Sequence, residues 1–296
     1  MTEALVSVIV PTCGIRDHYI PCLNALSRQT HQPLEMIVVN NALDPALTRK
    51  VKEICPSATV HVPPQNLYYG PAINKGIESS RAEYLLCLND DVFLKKDFIE
   101  KALRGFFADE HVGAVTGKLL RPDQKTVDST GIFMNPWYGV HERGYGQTDR
   151  GQFDKPGFVF GSGGAAAFYR RRMLDELREK GGWFDARFKM FFEDLDLAWR
   201  AQKRGWKTRY VPEAVAYHVR GGSARVRGGE GKKRPWRFLS DELLVNLIKN
   251  RYRMILKNET ALCFLPRLLP VLLYEIYTAA YLLFCRPRVL PKFLEG

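Results

Sequence analysis

Apolar residues in the first 120 positions gather into short dense runs: LVSVIVP at 5–11, LEMIVVN at 34–40, TVHVP at 59–63, EYLLCLND at 83–90 and VGAVTGKLL at 112–120. Between them, mixed stretches at 19–28, 71–80 and 97–107 have helix-like spacing. Near-continuous apolar strands separated by helices predict an α/β fold, with a mostly parallel central sheet covered on both faces. Ligands of such sheets bind at the carboxyl ends of the strands.

Beyond position 120 the pattern loosens. Residues 123–156 are rich in Gly, Tyr, Trp and Asp with weak periodicity, which predicts long loops or a short β excursion. FVFGSGGAAAFYRRRMLDEL then passes from a strand-like start through small residues into a basic helix start. Its glycines and alanines permit close backbone approach to a ligand or to a packed helix. Leu195, Ala198, Trp199 and Gln202 fall at helical spacing, with Gly205 as the stop. Further on, Phe238, Leu239, Leu243, Leu247 and Ile248 share one side of a helix-like segment, with Lys249, Arg251, Arg253 and Lys257 nearby. That pattern suits an anionic membrane surface. Residues 261–285 are strongly apolar but broken by Pro266, Arg267, Pro270 and Glu275, which favours lying at a membrane interface over spanning it.

Composition narrows the classes. With 46% apolar and 26% charged residues among 296, the chain should fold. A net charge of +12 calls for an anionic partner, and much of it falls at 220–237 and just after, in a loop and tail rather than a DNA-reading helix. The six cysteines lack C-x-x-C spacing, so neither zinc nor a disulfide framework is indicated. MTEALVSVIVP has no basic n-region and reads as a buried first strand of a cytoplasmic protein. PTCGIRD carries neither G-x-G-x-x-G nor a P-loop, which disfavours dinucleotide enzymes and P-loop NTPases.

Four groups could carry chemistry. Asn89, Asp90 and Asp91 follow a strand, where carboxylates suit Mg2+ or Mn2+, although the same residues also start turns. Glu193, Asp194 and Asp196 occupy a first helical turn. Dipole complementarity alone would explain them at about 0.3–1 kcal/mol each, but the aromatic run ahead of them would exclude water and raise a carboxylate toward general-base use. His218 ends a strand-like run, and Asn66, Gly70, Asn74 and Lys75 stand at a loop-to-helix junction able to hold a nucleotide.

Taken in order, these segments resemble the family-2 glycosyltransferases with the GT-A fold, and in particular the rhamnosyltransferase-like members that build bacterial surface polysaccharides. The resemblance runs from VSVIVPT at 6–12 through His218. NLYYGPAINKGI is similar to the family's donor segment, LNDDV to its DxD-type metal motif and GSGGAAAFYRR to its strand-to-helix segment beside the donor. The block from GGWFDARFKMFFEDLDLAWR to HVRGGS is similar to its acceptor side.

The resemblance implies a metal-dependent inverting glycosyltransferase, with Asp194 as the base and Glu193 beside it. It implies a Mg2+ or Mn2+ site at Asp91 and His218, with Asn89 and Asp90 near the ribose or metal shell. Pro11, Thr12, Asn40, Asn66, Gly70, Asn74 and Lys75 would bind the dTDP- or UDP-linked sugar. Asn40 and Asn89 stand where the family commonly has acids, so the metal rests chiefly on Asp91. The expected acceptor is a saccharide or lipid-linked saccharide. The expected layout is a catalytic domain at 1–222, a basic flexible loop at 223–237 and a helical tail at 238–296. The tail would hold the protein on the inner face of the plasma membrane; an oligomer is compatible with this, and no nucleic acid is expected. Two alternatives stand beside it: a polyprenyl-phosphate sugar transferase, and a basic nucleic-acid- or membrane-binding protein without catalysis.

Overall fold

The computed structural model describes residues 4–13, 18–220 and 239–293. Its first part alternates as the apolar runs predict: β1 (Val6–Thr12), α1 (Tyr19–Ser27), β2 (Leu34–Asn40), α2 (Pro45–Ile54), β3 (Thr59–His61), α3 (Tyr69–Ser79) and β4 (Tyr84–Leu88). There follow β5 (Val92–Leu94), α4 (Phe98–Arg104) and β6 (Val112–Leu120). The weakly periodic region holds β7 (Val127–Ser129) and a hairpin of β8 (Ile132–Met134) with β9 (Val140–Glu142). Next come β10 (Gly157–Val159), β11 (Ala166–Arg170), α5 (Arg171–Glu176), α6 (Glu193–Lys203) and β12 (Lys207–His218). The C-terminal helices are α7 (Asp241–Asn258), α8 (Ala261–Phe264) and α9 (Leu268–Cys285).

The main sheet runs β10-β12-β6-β11-β4-β1-β2-β3, with β5 on β12 and β7 on β6. Helical crossovers make β3, β2, β1 and β4 parallel, as expected. The sheet as a whole is mixed, because β11 runs antiparallel between β4 and β6, while β12 is parallel to β6. This direction pattern brings the carboxyl ends of β1, β4 and β12 and the amino end of β11 to one edge. Asn89, Asp90, Asp91, Asp194 and His218 collect there.

Val6, Val8 and Val10 alternate to one face, under Leu23 and Leu26 of α1, Leu47 and Val51 of α2 and Phe98 of α4. Ile9 and Ile37 point to the other, against Ile73 and Ile77 of α3, Met173 of α5 and Leu197 of α6. Helix α3 lies so close to β1 that a Cβ on Gly76 would stand 2.3 Å from Ile9 Cγ2.

Helix α7 differs from its sequence expectation. Leu244, Val245, Ile248, Asn250, Arg251, Met254 and Asn258 are buried, and Met254 shares an apolar cluster with Phe188, Phe192, Leu195 and Trp199. Of the basic residues expected near a lipid surface, Arg251, Arg253 and Lys257 are engaged within the protein. Arg253 Nη1 donates to the Arg187 carbonyl at 2.7 Å, and Lys257 lies within 2.7–3.1 Å of Glu179, Asp185 and Asp196. The apolar surface lies instead on α9, where Leu269, Leu272, Ile276 and Phe284 are exposed. Residues 261–285, with an 18-residue window of mean hydropathy 1.7, are long and apolar enough to cross a membrane. The basic loop expected at 223–237 lies outside the described residues.

Candidate active site

A cavity of about 1110 Å3 opens at the shared strand edge, lined by Pro11, Asn41, Asn66, Asn89, Asp90, Asp91, Asp128, Glu193, Asp194, His218 and Arg220 among others. Residues from elements far apart in sequence, β1, β7, α6 and β12 among them, therefore meet in one space.

Asp194 sits in the first turn of α6, as the helical spacing predicts. Its Oδ1 accepts the Leu195 amide at 2.8 Å and its Oδ2 the Gly164 amide at 3.1 Å. The glycine at 164 permits that approach, since a Cβ there would stand 3.1 Å from the Tyr69 hydroxyl oxygen. Burial raises the Asp194 carboxyl above its ordinary range, although both amide bonds work against this. Burial, then the Asp194 charge, raises Glu193 much further, and its Oε2 has no hydrogen-bond partner. The approach to these acids is strained: Lys189, Phe191 and Phe192 take φ of 55°, 74° and 72°.

The third acid of the turn has a different task. Asp196 is fully buried, and its Oδ2 accepts Arg200 Nε at 2.9 Å and Lys257 Nζ at 3.0 Å. Its Oδ1 accepts Asn258 Nδ2 at 2.7 Å. It binds α6 to α7 and does not line the cavity.

Asp91 and His218 meet across the β4–β5 turn and the end of β12, with Asp91 Oδ1 3.3 Å from His218 Nε2. On the far side of the imidazole, Nδ1 stands 2.8 Å from Asp128 Oδ2, and Arg220 pairs with both Asp128 and Glu142. Burial disfavours the imidazolium, yet the hydrogen bonds and charges of Asp128 and Asp91 bring the His218 pKa up to about 9. Burial would raise Asp128, but Arg220 and His218 outweigh it and bring the acid down to about 2.

Among the described residues no group of three or more His, Cys, Asp or Glu side chains is arranged as a metal cage. Asp91 and His218 nonetheless fit a divalent ion as two donors. An Nδ1–H bond to Asp128 would leave Nε2 as the free imidazole donor beside a carboxylate, the usual support for a metal-bound histidine. The diphosphate of a ligand and water would supply the other oxygens that Mg2+ or Mn2+ takes.

The other expected donor residues divide. Pro11, Asn66, Asn89 and Asp90 line the cavity, with Asp90 held by the Thr12 hydroxyl at 2.6 Å and raised by burial. Thr12 therefore acts behind the wall. Asn40 is turned away: its Nδ2 donates to the Asp44 carbonyl and Thr48 Oγ1 at the start of α2. The neighbouring Asn41 reaches the cavity instead, bonded to the Leu67 amide and Tyr68 carbonyl. Asn74 is also spent on structure, bonding the backbone of Gly181 and Phe184. Gly70 packs on Phe184 and Glu193, and Lys75 pairs with Glu78 at the surface. None of these four lines the cavity. Asp128, Glu142 and Asn41 carry no motif, and sequence reasoning passed over them.

Residues 3–228 match the family model described as glycosyltransferase like family 2. The chain is 26% identical over 248 residues to the N-acetylglucosaminyl-diphospho-decaprenol L-rhamnosyltransferase of Mycobacterium tuberculosis, covering 74% of this chain and 76% of that one. Among solved structures, the mannosyltransferase PcManGT from Pyrobaculum calidifontis, in complex with GDP-Man and Mn2+, superposes with a TM-score of 0.56. Its identity is 18%, over 98% of this chain and 73% of that chain. GalNAc-T7 with UDP, GalNAc and Mn2+ gives a TM-score of 0.62 at 12% identity, over 85% of this chain and 47% of the other. The architecture they share is the GT-A fold.

Proposed function

Because the chain belongs to glycosyltransferase family 2, we propose that it transfers a sugar with inversion from a nucleoside-diphosphate donor to a hydroxyl of a lipid-linked saccharide, with Asp194 as the base. The observation that carries this reading is the half-buried Asp194 carboxylate, held by two backbone amides in the same cavity as Asp91 and His218. The name of the Mycobacterium relative supports rhamnose as the sugar and a diphospho-polyprenol saccharide as the acceptor, in the synthesis of cell-wall polysaccharide. Neither the polyprenyl-phosphate sugar transferase nor the non-catalytic alternative gains support.

Asp194 takes the proton of the acceptor hydroxyl as that oxygen bonds to the anomeric carbon. The bond from this carbon to the diphosphate oxygen breaks, and the nucleoside diphosphate leaves on the opposite side. A β-linked dTDP-rhamnose would thus give an α-rhamnoside. Each oxygen of Asp194 keeps a lone pair beyond its amide bond, and the low-dielectric surroundings that raise its pKa make it a stronger base. Asp91 and His218 would hold Mg2+ or Mn2+, which supplies charge neutralisation to the leaving diphosphate; Mn2+ in both solved relatives supports that choice. Asn41, Asn66 and Asp90 would contact the nucleoside. The exposed apolar face of α9 supports attachment to the cytoplasmic face of a membrane.

The test is a panel of nucleotide-sugars with Mg2+ or Mn2+, assayed for donor hydrolysis and for transfer. Asp194→Asn is expected to fold as wild type and to lose transfer by about 100- to 10,000-fold. Near-full transfer by this variant would remove Asp194 from its role. Turnover untouched by exhaustive chelation would remove the metal.

A further inference from the structure

The cavity that holds Asp194 extends onto α7 and α9, where Leu247, Ile248, Leu273 and Tyr277 line it. Leu273 and Tyr277 are also 59% and 38% exposed, so they belong both to the cavity wall and to the outward apolar face of α9. An apolar path therefore joins the catalytic groups to the surface best suited to lipid.

Arg251 of α7 lines this cavity and is only 3% exposed. Its Nε donates to the Trp137 carbonyl at 2.8 Å, and its Nη1 to Glu275. Its Nη2 has no hydrogen-bond partner. Glu275 lies in the same wall, but its two oxygens already accept Arg251 Nη1 and the Tyr252 hydroxyl. A buried guanidinium with an unmet N–H is costly unless a ligand or water takes the bond. Its planar fork suits phosphate oxygens.

We propose that Arg251 Nη2 binds a phosphate oxygen of the acceptor's diphosphate, with the polyprenyl chain laid along the α7 and α9 walls toward the exposed face of α9. This rests on the lipid-linked acceptor proposed above. It makes Arg251 a residue that chooses the acceptor, separate from the donor site at Asp91 and His218.

The experiment uses the full chain and two acceptors with the same saccharide, one on a short prenyl diphosphate and one on an uncharged alkyl glycoside. The readout is the ratio of their kcat/KM values. Wild type is expected to favour the diphosphate acceptor, and Arg251→Met to lower that ratio by roughly 10- to 100-fold, the range for one hydrogen bond to a charged group. Should Arg251→Met not fold, Arg251→Lys, which keeps the charge without the fork, provides the same ratio. An unchanged ratio, with both acceptors losing equally, overturns the subsite alone. A wild type indifferent to the diphosphate overturns the lipid-linked acceptor and the subsite with it.

Discussion

Replacing Asn250 by leucine tests whether α7 holds Glu193 and Asp194, the proposed catalytic acids, in place. Asn250 Nδ2 stands 2.6, 2.9 and 3.0 Å from the carbonyls of Phe188, Met190 and Phe191, directly ahead of Glu193 and Asp194. An amide has two N–H groups, so two hydrogens serve three acceptors. Leucine fills a similar volume and donates nothing. The two bonds from Nδ2 and the one that Oδ1 accepts from Arg253 Nη1 at 2.7 Å, lost at about 0.5–1.5 kcal/mol each, and one carbonyl left dry at about 1–3 kcal/mol, predict a destabilisation of roughly 2.5–7.5 kcal/mol. That is a large share of the about 5–15 kcal/mol that holds a typical domain together. The same segment keeps Lys189, Phe191 and Phe192 at positive φ, a strain of about 1–3 kcal/mol per residue that persists only while the surroundings enforce it. Without the clamp it should relax and move Asp194. Since a shift near 1 Å can cost about 100-fold, kcat should fall by at least ~10-fold. Urea midpoint and kcat are measured on the same preparation. A variant that matches wild type in both refutes the clamp, and one that loses stability while each folded molecule keeps its kcat refutes the link to catalysis.

Three further outcomes follow from Asp194, Glu193 and the apolar helix. Because burial raises Asp194 and the base works ionised, kcat/KM should fall with acidification at a pH above the ordinary aspartate value of about 3.9, and a limb at that ordinary value would contradict the burial argument. An acid whose folded pKa is raised stabilises the fold below its unfolded pKa and loses that contribution as pH rises through the folded value. Glu193→Gln, which removes such a charge, should therefore melt higher than wild type at pH 8, with a smaller difference at pH 5. Finally, serine at Leu269, Leu272 and Ile276 should weaken flotation with anionic liposomes by roughly tenfold or more, since each change removes buried hydrocarbon from the interface. Undiminished flotation would rule out α9 as the attachment.

The strands at 34–40 and 112–120 were legible to the residue because buried strands leave dense apolar runs. A three-residue strand such as β5 left no such trace, since its pairing is decided by β12, far along the chain. Asp194 was legible because a first turn is marked by helical spacing and a glycine stop. Asp128 was not, because its partner His218 lies 90 residues away. At the end of β2 the expectation missed by one residue: Asn40 faces α2 and Asn41 the cavity. Asn74 shows the same difficulty, as a buried amide bonded to backbone reads like any polar residue near a ligand. Helix α7 has the pattern of a surface helix, and periodicity alone does not tell a membrane from a protein as the thing it packs against.

The node at Asp196 bears on how the molecule is made. Its carboxylate lies fully buried in α6, and two of its three donors, Lys257 and Asn258, come from the end of α7. A nascent chain stopped near residue 240 would have the whole sheet and both Glu193 and Asp194, but only Arg200 to answer that charge. The strands are synthesised first, yet the end of the sheet that carries Asp194 can be sealed only after residues 257 and 258 have left the ribosome.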